Sequence, residues 1–297
     1  MIARQFLGIA GLSALASACA PELLKRDGWR GEHIVRRADS AGATGRGWNF
    51  ELAEAWNQLN PAWSTCYSGR QQSPINLRSK WGYYAAGPPT FHYPTNLTGT
   101  IDNWDFGPQY KIHVGEDNKT AAYIEFDHDG EPEVAYFRSW HVHTPAEHTI
   151  DGYRAKGELH IVHYDDSGTP RSVVGILIDR ISKDDESASS YASPALATNG
   201  SAFYKQLESE QLPDIFSNDT IPDVQLDLNL VISEAKGYQN FWTYKGSLTT
   251  PPCSEGIRWF VSPDVVLLSD DQMQNLLRAS TYGDRPINNL WDHDVNV

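Results

Sequence analysis

Three of the chain's ten histidines fall within the segment SWHVHTPAEH, which runs from Ser139 to His148. His141 and His143 are two residues apart, and alternate side chains of a β-strand point to the same face of the sheet. Two imidazoles at this spacing can reach one metal ion. A third ligand must then come from another part of the chain.

The segment GELHIVHYD, residues 157–165, offers that ligand. On a strand Glu158 and His160 share a face, whereas His163 lies an odd number of residues further on and faces the other way. A single histidine on a strand is more often a hydrogen-bonded core residue than a metal ligand. The combination of His141 and His143 with His160 on a second strand is therefore what indicates a metal site. Three neutral imidazoles suit tetrahedral zinc and leave the fourth position to water, which is typical of catalytic zinc.

Strand patterns predominate among the elements that would position these histidines. Short β-branched or aromatic runs bounded by turn residues predict strands at Ala121–His128, Val173–Ile178 and Ile257–Val261. The run VVGILI (173–178) has no polar alternation, so we expect a central strand buried on both faces. The segment VQLDLNLVI (224–232) alternates with period two and predicts a further strand.

Helix patterns are fewer. In SDDQMQNLLRAS, Ser269 can cap a helix, acidic residues open the first turn, and Met273, Leu276 and Leu277 share a face. A second helix is predicted in SAFYKQLES (201–209). The balance predicts a mainly β (α+β) fold, with a large sheet and short peripheral helices.

The composition excludes one class of partner. The 297 residues carry a net charge of −14 with no basic stripe, which argues against nucleic-acid binding. No internal repeat or second linker interrupts the chain, so one domain is expected.

The N-terminus predicts export. Arg4 precedes an apolar run from Phe6 to Ala20 that is too short to span a bilayer and ends in small residues. We interpret residues 1–20 as a signal peptide, with a buried helix as the alternative. The Arg-, Gly- and Ala-rich residues 21–45 then form a linker or pro-segment. The domain would cover 46–291, with a C-terminal tail at 292–297.

Cysteine usage agrees with secretion. If Cys19 leaves with the signal peptide, Cys66 and Cys253 remain, and an oxidising compartment would join them. Two free buried thiols are the alternative. Four N-glycosylation sequons also fit an exported chain, at Asn96, Asn118, Asn199 and Asn218.

Four ordered blocks of the sequence resemble the alpha-class carbonic anhydrases. They are QQSPINL (71–77), WHVHTPAEHTID (140–151), GELHIVHYD (157–165) and GSLTTPPCSEGIRWFV (246–261). The resemblance extends from about Gly47 to Leu290. It implies a large twisted, mostly antiparallel sheet with zinc in a conical cleft, and reversible hydration of carbon dioxide to bicarbonate and a proton. In carbonic anhydrase itself, zinc lowers the pKa of its water to about 7, and the hydroxide attacks carbon dioxide.

The resemblance also assigns individual roles. Thr249 would accept a hydrogen bond from the zinc-bound hydroxide and donate one to Glu147. Glu158 would accept the ring N–H of a ligand histidine and raise its basicity. The implied zinc ligands are His141, His143 and His160.

The substrate pocket and the cysteines follow from the same match. Thr250 would lie on the substrate side of the site. Cys66 and Cys253 match the disulfide of the family's extracellular members. The residues that match the apolar pocket wall are Val162, Val173, Leu248 and Trp259.

Some positions depart from the family pattern. Asn103 matches an asparagine that often precedes a proton-shuttling histidine, but no histidine follows it at the expected place. His113 is the nearby candidate shuttle, with His92 or a rim carboxylate as alternatives. Ser139 replaces a frequent glutamine and Phe50 a frequent tyrosine. These changes question rapid proton transfer and water ordering, but they remove no ligand.

The sequence therefore predicts a secreted zinc carbonic anhydrase that acts on a small molecule. A non-catalytic binding domain of the same fold is one alternative. Hydrolysis of esters by the same zinc site is another. The enzyme is favoured because the expected residues His141, His143, His160, Glu147 and Thr249 are all present.

Overall fold

The computed structural model describes residues 46–128, 130–180, 200–207 and 212–297. The predicted signal peptide (1–20) and linker (21–45) lie outside these ranges. So do Asn199 and the last two residues of the segment 201–209. Within the described ranges no helix is both long enough and apolar enough to span a membrane.

Strands provide most of the regular structure. In the described residues they are β1 Asn76–Leu77, β2 Thr90–His92, β3 Leu97–Asn103, β4 Pro108–Ile112, β5 Tyr123–His128, β6 Glu131–His143, β7 Thr149–Ile150, β8 Gly157–Tyr164, β9 Pro170–Arg180, β10 Ile221–Leu226, β11 Trp242–Ser247, β12 Glu255–Val261 and β13 Val266–Leu268. The predicted strands at 121–128, 173–178 and 257–261 correspond to β5, β9 and β12.

One large sheet contains eleven of these strands. Its main path runs β10-β3-β4-β6-β8-β9-β12-β11, while β5 extends from β6, β2 pairs with β5 and β13 pairs with β9. Most pairs are antiparallel, but β12 and β13 both run parallel to β9. The sheet is therefore mixed. Strands β1 and β7 form a separate parallel pair.

The central position of β9 explains its continuous apolar run. It is hydrogen-bonded to β8 on one side and to β12 and β13 on the other. Residues Val173–Ile178 are all buried, as the absence of polar alternation predicted.

Helices are short and peripheral. The described α-helices are α1 Trp56–Leu59, α2 Thr65–Ser68, α3 Ala202–Lys205, α4 Asn229–Glu234 and α5 Asp270–Arg278. Further 3₁₀ turns span Phe50–Ala55, Pro61–Trp63, Ser79–Trp81 and Lys236–Tyr238.

The prediction of one strand across residues 224–232 was wrong for its second half. The strand β10 ends at Leu226, and α4 begins at Asn229. The Asp227 side chain accepts a hydrogen bond from the Asn229 backbone N–H at 2.9 Å, which favours a turn there. Leu228, Val231 and Ile232 are then buried at helical spacing, which the strand pattern did not anticipate.

Helix α5 begins as predicted but buries a different stripe. Ser269 and Gln272 form a reciprocal capping box. The Gln272 amide also donates to the Ser201 carbonyl at 2.9 Å, which turns this side of the helix inward. Met273 and Leu276 are buried, whereas Leu277 is 45% exposed. The prediction that Leu277 shares the buried face was therefore wrong.

Strand β6 contains a bulge at Arg138, where its register with β8 shifts by one residue. Before the bulge, Ala135 and Phe137 are buried in the main apolar cluster. After it, Trp140 and Val142 are the buried residues of that cluster. The face of the strand that points into the core thus changes from odd to even positions.

A disulfide joins Cys66 to Cys253 and connects α2 to the loop after β11. An aromatic cluster that includes Trp48, Phe50 and Trp56 packs around it. The predicted C-terminal tail is hydrogen-bonded to β11, because the Asn296 backbone N–H donates to the Thr243 carbonyl at 2.8 Å.

Candidate metal centre

Two neighbouring strands bring the three predicted ligands together. His141 and His143 lie at the end of β6, and His160 on β8 is directly opposite His141. Glu158 is opposite His143 in the same register. One potential ligand nitrogen from each of the three histidines lies within 4.8 Å of the others. The period-two argument from the sequence describes this arrangement correctly.

Hydrogen bonds fix which nitrogen of each buried ring faces the cluster. The His143 Nδ1–H donates to the Gly283 carbonyl at 2.5 Å, so its Nε2 carries the lone pair. That Nε2 lies 3.1 Å from His141 Nε2. The His160 Nε2–H donates to Glu158 Oε1 at 2.9 Å, which leaves the Nδ1 lone pair available to a metal ion.

The electrostatics keep two of these rings neutral, which is the form that binds metals. Burial lowers the pKa of His143 well below its usual value, and repulsion from His160 and His141 lowers it further. Burial also lowers the pKa of His160, although Glu158 opposes the effect. Three imidazole nitrogens at this separation fit zinc and leave its fourth position to a small ligand.

Glu158 is a buried acceptor that holds the site together. Its Oε2 accepts the backbone N–H groups of Glu147 at 2.9 Å and His148 at 2.7 Å. Its Oε1 accepts the ring N–H groups of His148 at 2.6 Å and His160 at 2.9 Å. Burial disfavours its charge, but His148 and His160 outweigh this and hold the pKa of Glu158 well below its usual range.

The network continues away from the cluster. His148 donates through Nδ1 to the Glu158 carboxylate, so its Nε2 accepts from the Tyr244 hydroxyl at 2.7 Å. The Tyr244 oxygen lies 2.8 Å from the Ser73 hydroxyl. Ser73 and Ser247 then exchange two hydrogen bonds, at 2.9 and 3.1 Å. The orientation of His160 is therefore tied to three further parts of the chain.

Glu147 lies on the other side of the cluster. Its Oε1 accepts the Arg285 backbone N–H at 2.9 Å, and its Oε2 lies 3.4 Å from His143 Nε2. Burial raises the pKa of Glu147, whereas hydrogen bonds from the Thr249 hydroxyl and the Arg285 backbone oppose that rise. Thr249 is buried and donates to Glu147, so its oxygen can accept a hydrogen bond from another group.

An apolar row crosses three strands beside the histidines. Val162 on β8 pairs with Val173 on β9, which pairs with Trp259 on β12. The Trp259 ring centroid lies 4.9 Å from that of His160. Leu248 packs against the same apolar cluster. The predicted pocket-wall residues are thus close together, and Thr250 is partly buried in the adjoining loop.

Aromatic side chains form a second boundary of the cluster. The Trp104 ring lies 5.1 Å from the His141 ring and 5.0 Å from the His143 ring. Its Nε1–H donates to the Val142 carbonyl at 3.3 Å. The Phe50 ring lies 5.8 Å from the His143 ring. These rings limit the space around two of the candidate ligands.

The candidate proton shuttles lie further away. His113 is exposed just beyond the end of β4, whereas Gln109 of that strand is the residue paired with His141. His113 is four residues further along the chain than Gln109, which corresponds to about 13 Å in an extended segment. His92 is on β2, stacked on Tyr123 at 4.3 Å.

Sequence reasoning missed four groups that the structure places around the cluster. One is His148, which directly follows Glu147 in the chain. Another is Tyr244, which is paired with Trp259, so a prediction that β11 pairs with β12 would have identified it. The Gly283 carbonyl and the Trp104 ring carry no comparable sequence signal, because both reach the site through tertiary packing.

Comparisons with known proteins show what the chain and its fold are similar to. The model of the family described as eukaryotic-type carbonic anhydrase matches residues 52–291. The chain is 28% identical over 247 residues to a carbonic anhydrase of Klebsiella pneumoniae, covering 82% of this chain and 87% of that protein. It is 30% identical over 241 residues to dioscorin DB3S of Dioscorea polystachya, covering 80% of this chain and 77% of that protein. Its fold resembles that of an alpha-carbonic anhydrase of Thermovibrio ammonificans solved with the inhibitor sulfanilamide. The TM-score of this structural match is 0.64 and the sequence identity is 24%. The match covers 82% of this chain and 94% of the Thermovibrio ammonificans chain.

Proposed function

Since the chain belongs to the eukaryotic-type carbonic anhydrase family, we propose that it catalyses the reversible hydration of carbon dioxide to bicarbonate and a proton. In this proposal His141, His143 and His160 hold one zinc ion. The observation that carries the proposal is the convergence of three imidazole nitrogens within 4.8 Å.

The ligand geometry is prepared by the surrounding residues. When bound, zinc supplies Lewis acidity that lowers the pKa of a coordinated water to about 7, a value known for carbonic anhydrase itself. Gly283 and Glu158 orient His143 and His160, because each accepts the ring N–H that does not face the cluster. Neither ring then has to reorient when metal binds.

Thr249 and Glu147 would orient the reacting oxygen. The Thr249 proton is engaged by the Glu147 carboxylate, so the hydroxyl can only accept from an O–H group in the cleft. A lone pair of that reacting oxygen is thereby directed towards substrate. The Arg285 backbone N–H holds Glu147 in place at 2.9 Å.

The apolar row would receive carbon dioxide. Val162, Val173 and Trp259 present hydrocarbon surface next to His160 and offer no competing hydrogen-bond donor in their side chains apart from the indole N–H. That N–H already donates to the Ser247 carbonyl at 3.0 Å. A nonpolar gas is favoured over water at such a surface.

Zinc content and carbon dioxide hydration test the proposal on the purified full chain. We expect one zinc per chain and hydration that is lost in His160→Ala. His163→Gln is the matched control, because it changes a histidine on the same strand whose side chain bonds Tyr93 instead, with Nε2 and the Tyr93 hydroxyl 2.7 Å apart.

Two results would contradict the proposal in different ways. A chain that binds one zinc but does not accelerate hydration would be the non-catalytic binding domain considered above. A chain that binds no zinc at neutral pH would refute the metal site itself. Ester hydrolysis measured in the same samples would establish the side activity separately.

We also propose that the protein is exported and glycosylated. The disulfide suits an oxidising compartment, and Asn96 and Asn218 are exposed. Asn118 is partly buried in a left-handed backbone conformation with φ of 58°. We therefore expect glycans on Asn96 and Asn218, checked by mass spectrometry of protein secreted from a glycosylating host. Unmodified asparagine at both positions would contradict this.

A further inference from the structure

Two backbone groups of the segment 281–285 contact the candidate metal centre. The Gly283 carbonyl accepts the His143 Nδ1–H, and the Arg285 N–H donates to Glu147 at 2.9 Å. The segment lies outside the described helices and outside strands β1–β13. Because it is not part of a continuous ladder of hydrogen bonds, its position depends on individual contacts with other parts of the chain.

Asp284 lies between these two backbone groups in the chain and forms an ion pair with Arg154. The Asp284 side chain is 7% exposed, and its Oδ2 accepts a hydrogen bond from Arg154 Nη1 at 2.5 Å. The same Nη1 donates to the Ala146 carbonyl at 2.7 Å, and Ala146 directly precedes Glu147. One guanidinium thus joins the segment 281–285 to the segment that carries Glu147.

The other contacts near Asp284 do not replace this ion pair. The Tyr282 side chain also hydrogen-bonds the Asp284 carboxylate, but Tyr282 belongs to the same segment and moves with it. The Gly283 N–H donates to the Thr144 carbonyl at 3.0 Å, which fixes the peptide group before Gly283. The Gly283 carbonyl belongs to the next planar peptide group, which ends at Asp284. The direction of that carbonyl therefore depends on where Asp284 is held.

Loss of the Arg154 guanidinium would leave a nearly buried carboxylate without its cation. An unpaired buried charge is costly, so Asp284 would have to move towards water or take up a proton. Movement of Asp284 would turn the Gly283 carbonyl with it. The His143 Nδ1–H would then lose its acceptor, and the ring would no longer be held in the orientation that binds metal.

We propose that Arg154 is a positioning residue for the metal centre. Its own hydrogen bonds are to Asp284 and Ala146, and it acts on His143 through Asp284 and the Gly283 carbonyl. This inference deepens the proposed function and rests on its zinc site, but it does not depend on hydration of carbon dioxide.

Lys156 provides a matched control in the same loop between β7 and β8. It pairs with Asp179 at 2.7 Å, and the Asp179 side chain is 2% exposed. Asp179 also accepts a hydrogen bond from a tyrosine hydroxyl, that of Tyr153. Lys156→Gln therefore removes the cation from a second buried carboxylate with a tyrosine partner. Asp179 belongs to β9 and not to the segment 281–285.

The test measures the zinc affinity of the full chain by competition with a chelator, and the free energy of unfolding of the metal-free chain in urea. Arg154→Gln should bind zinc about tenfold more weakly, at the lower end of the effect typical of residues that orient metal ligands. Lys156→Gln should keep the parent's affinity, even if it loses as much stability. Arg154→Lys should bind zinc more tightly than Arg154→Gln, because it keeps a cation beside Asp284.

A double variant tests the route through Asp284. Asp284→Ala should also weaken zinc binding, and Arg154→Gln should add no further loss in the Asp284→Ala chain, because both changes act on the same carbonyl. Asp284→Ala leaves no unpaired buried carboxylate, so it carries the test if Arg154→Gln does not fold.

Each outcome decides the inference. Weaker zinc binding in Arg154→Gln and Asp284→Ala but not in Lys156→Gln supports it. Parent-like affinity in Arg154→Gln or in Asp284→Ala overturns it. An equal loss in Lys156→Gln also overturns it, because general destabilisation would then be the cause, and a further loss in the double variant overturns the route through Asp284. A parent that binds no zinc refutes the proposed function and this inference together, whereas a parent that binds zinc without hydrating carbon dioxide refutes only the proposed function.

Discussion

Replacing His163 by glutamine should remove a specific source of acid sensitivity. The ring is fully buried on the face opposite the cluster, and its Nε2 lies 2.7 Å from the Tyr93 hydroxyl. Burial lowers the pKa of His163 to about 3, although backbone hydrogen bonds oppose the shift. The folded protein therefore resists protonating a ring that the unfolded chain protonates near pH 6.5.

The sign and size of the effect follow from this difference. The unfolded state binds the proton first, so stability is complete above about pH 6.5 and falls as the pH decreases towards 3. Between pH 8 and pH 5 the loss due to His163 is about 2 kcal/mol, and below pH 3 it approaches about 5 kcal/mol. Glutamine does not titrate, so the variant lacks this loss while it keeps a polar group for Tyr93.

Urea unfolding of the parent and His163→Gln at pH 8 and pH 5 checks the reasoning. The parent should lose about 2 kcal/mol more than the variant over this interval, even if the variant is less stable at both values. The histidine cluster is common to both proteins and cancels in the comparison. His113→Gln, at an exposed position, should follow the parent. The argument would be refuted if the difference in free energy of unfolding between the parent and His163→Gln were the same at pH 8 and pH 5.

Three further predictions concern the metal, the disulfide and the proton. His160→Ala should lose zinc and His163→Gln should keep it in metal analysis of dialysed protein; the reverse would refute the strand-phase argument. Serine at both Cys66 and Cys253 should lower the free energy of unfolding by about 5 kcal/mol, because the bond spans 187 residues. Non-reducing mass mapping that finds two free thiols would contradict this bond. Imidazole buffer should raise turnover at low buffer concentration but leave kcat/KM unchanged, because no shuttle histidine follows Asn103. Rapid turnover without imidazole would contradict this, and His113→Ala tests whether His113 contributes.

The cluster of candidate ligands could be predicted from the sequence in part because it depends on local periodicity. His141 and His143 share a face by strand geometry alone, and the family resemblance implied His160 as the third ligand. The register that places His160 opposite His141 is seen only in the structure. The Gly283 carbonyl could not be predicted, because it reaches His143 across 140 residues through packing that no local pattern encodes.

The secondary structure was likewise predictable only where a local pattern determines it. Continuous apolar character identified β9, since burial on both faces leaves a distinct composition. Alternation failed at 224–232, because Asp227 forms a turn just before the helix that begins at Asn229. A few residues of period two also fit one helical turn. In α5 the capping residue was predictable, but the buried stripe was not, because Gln272 takes an inward position through its bond to Ser201.

The bulge at Arg138 makes the residue count of β6 part of the site. Its guanidinium lies 5.4 Å from the Tyr164 ring and donates to the Asn118 carbonyl at 2.9 Å, so the extra residue is anchored. If β6 kept all its residues but had no bulge, strict alternation would carry the inward phase of Phe137 through the rest of the strand. His141 and His143 would then face the apolar core, and Trp140 would face the cleft. The bulge therefore absorbs one extra residue of β6 and keeps both candidate ligands on the face of the sheet that carries His160.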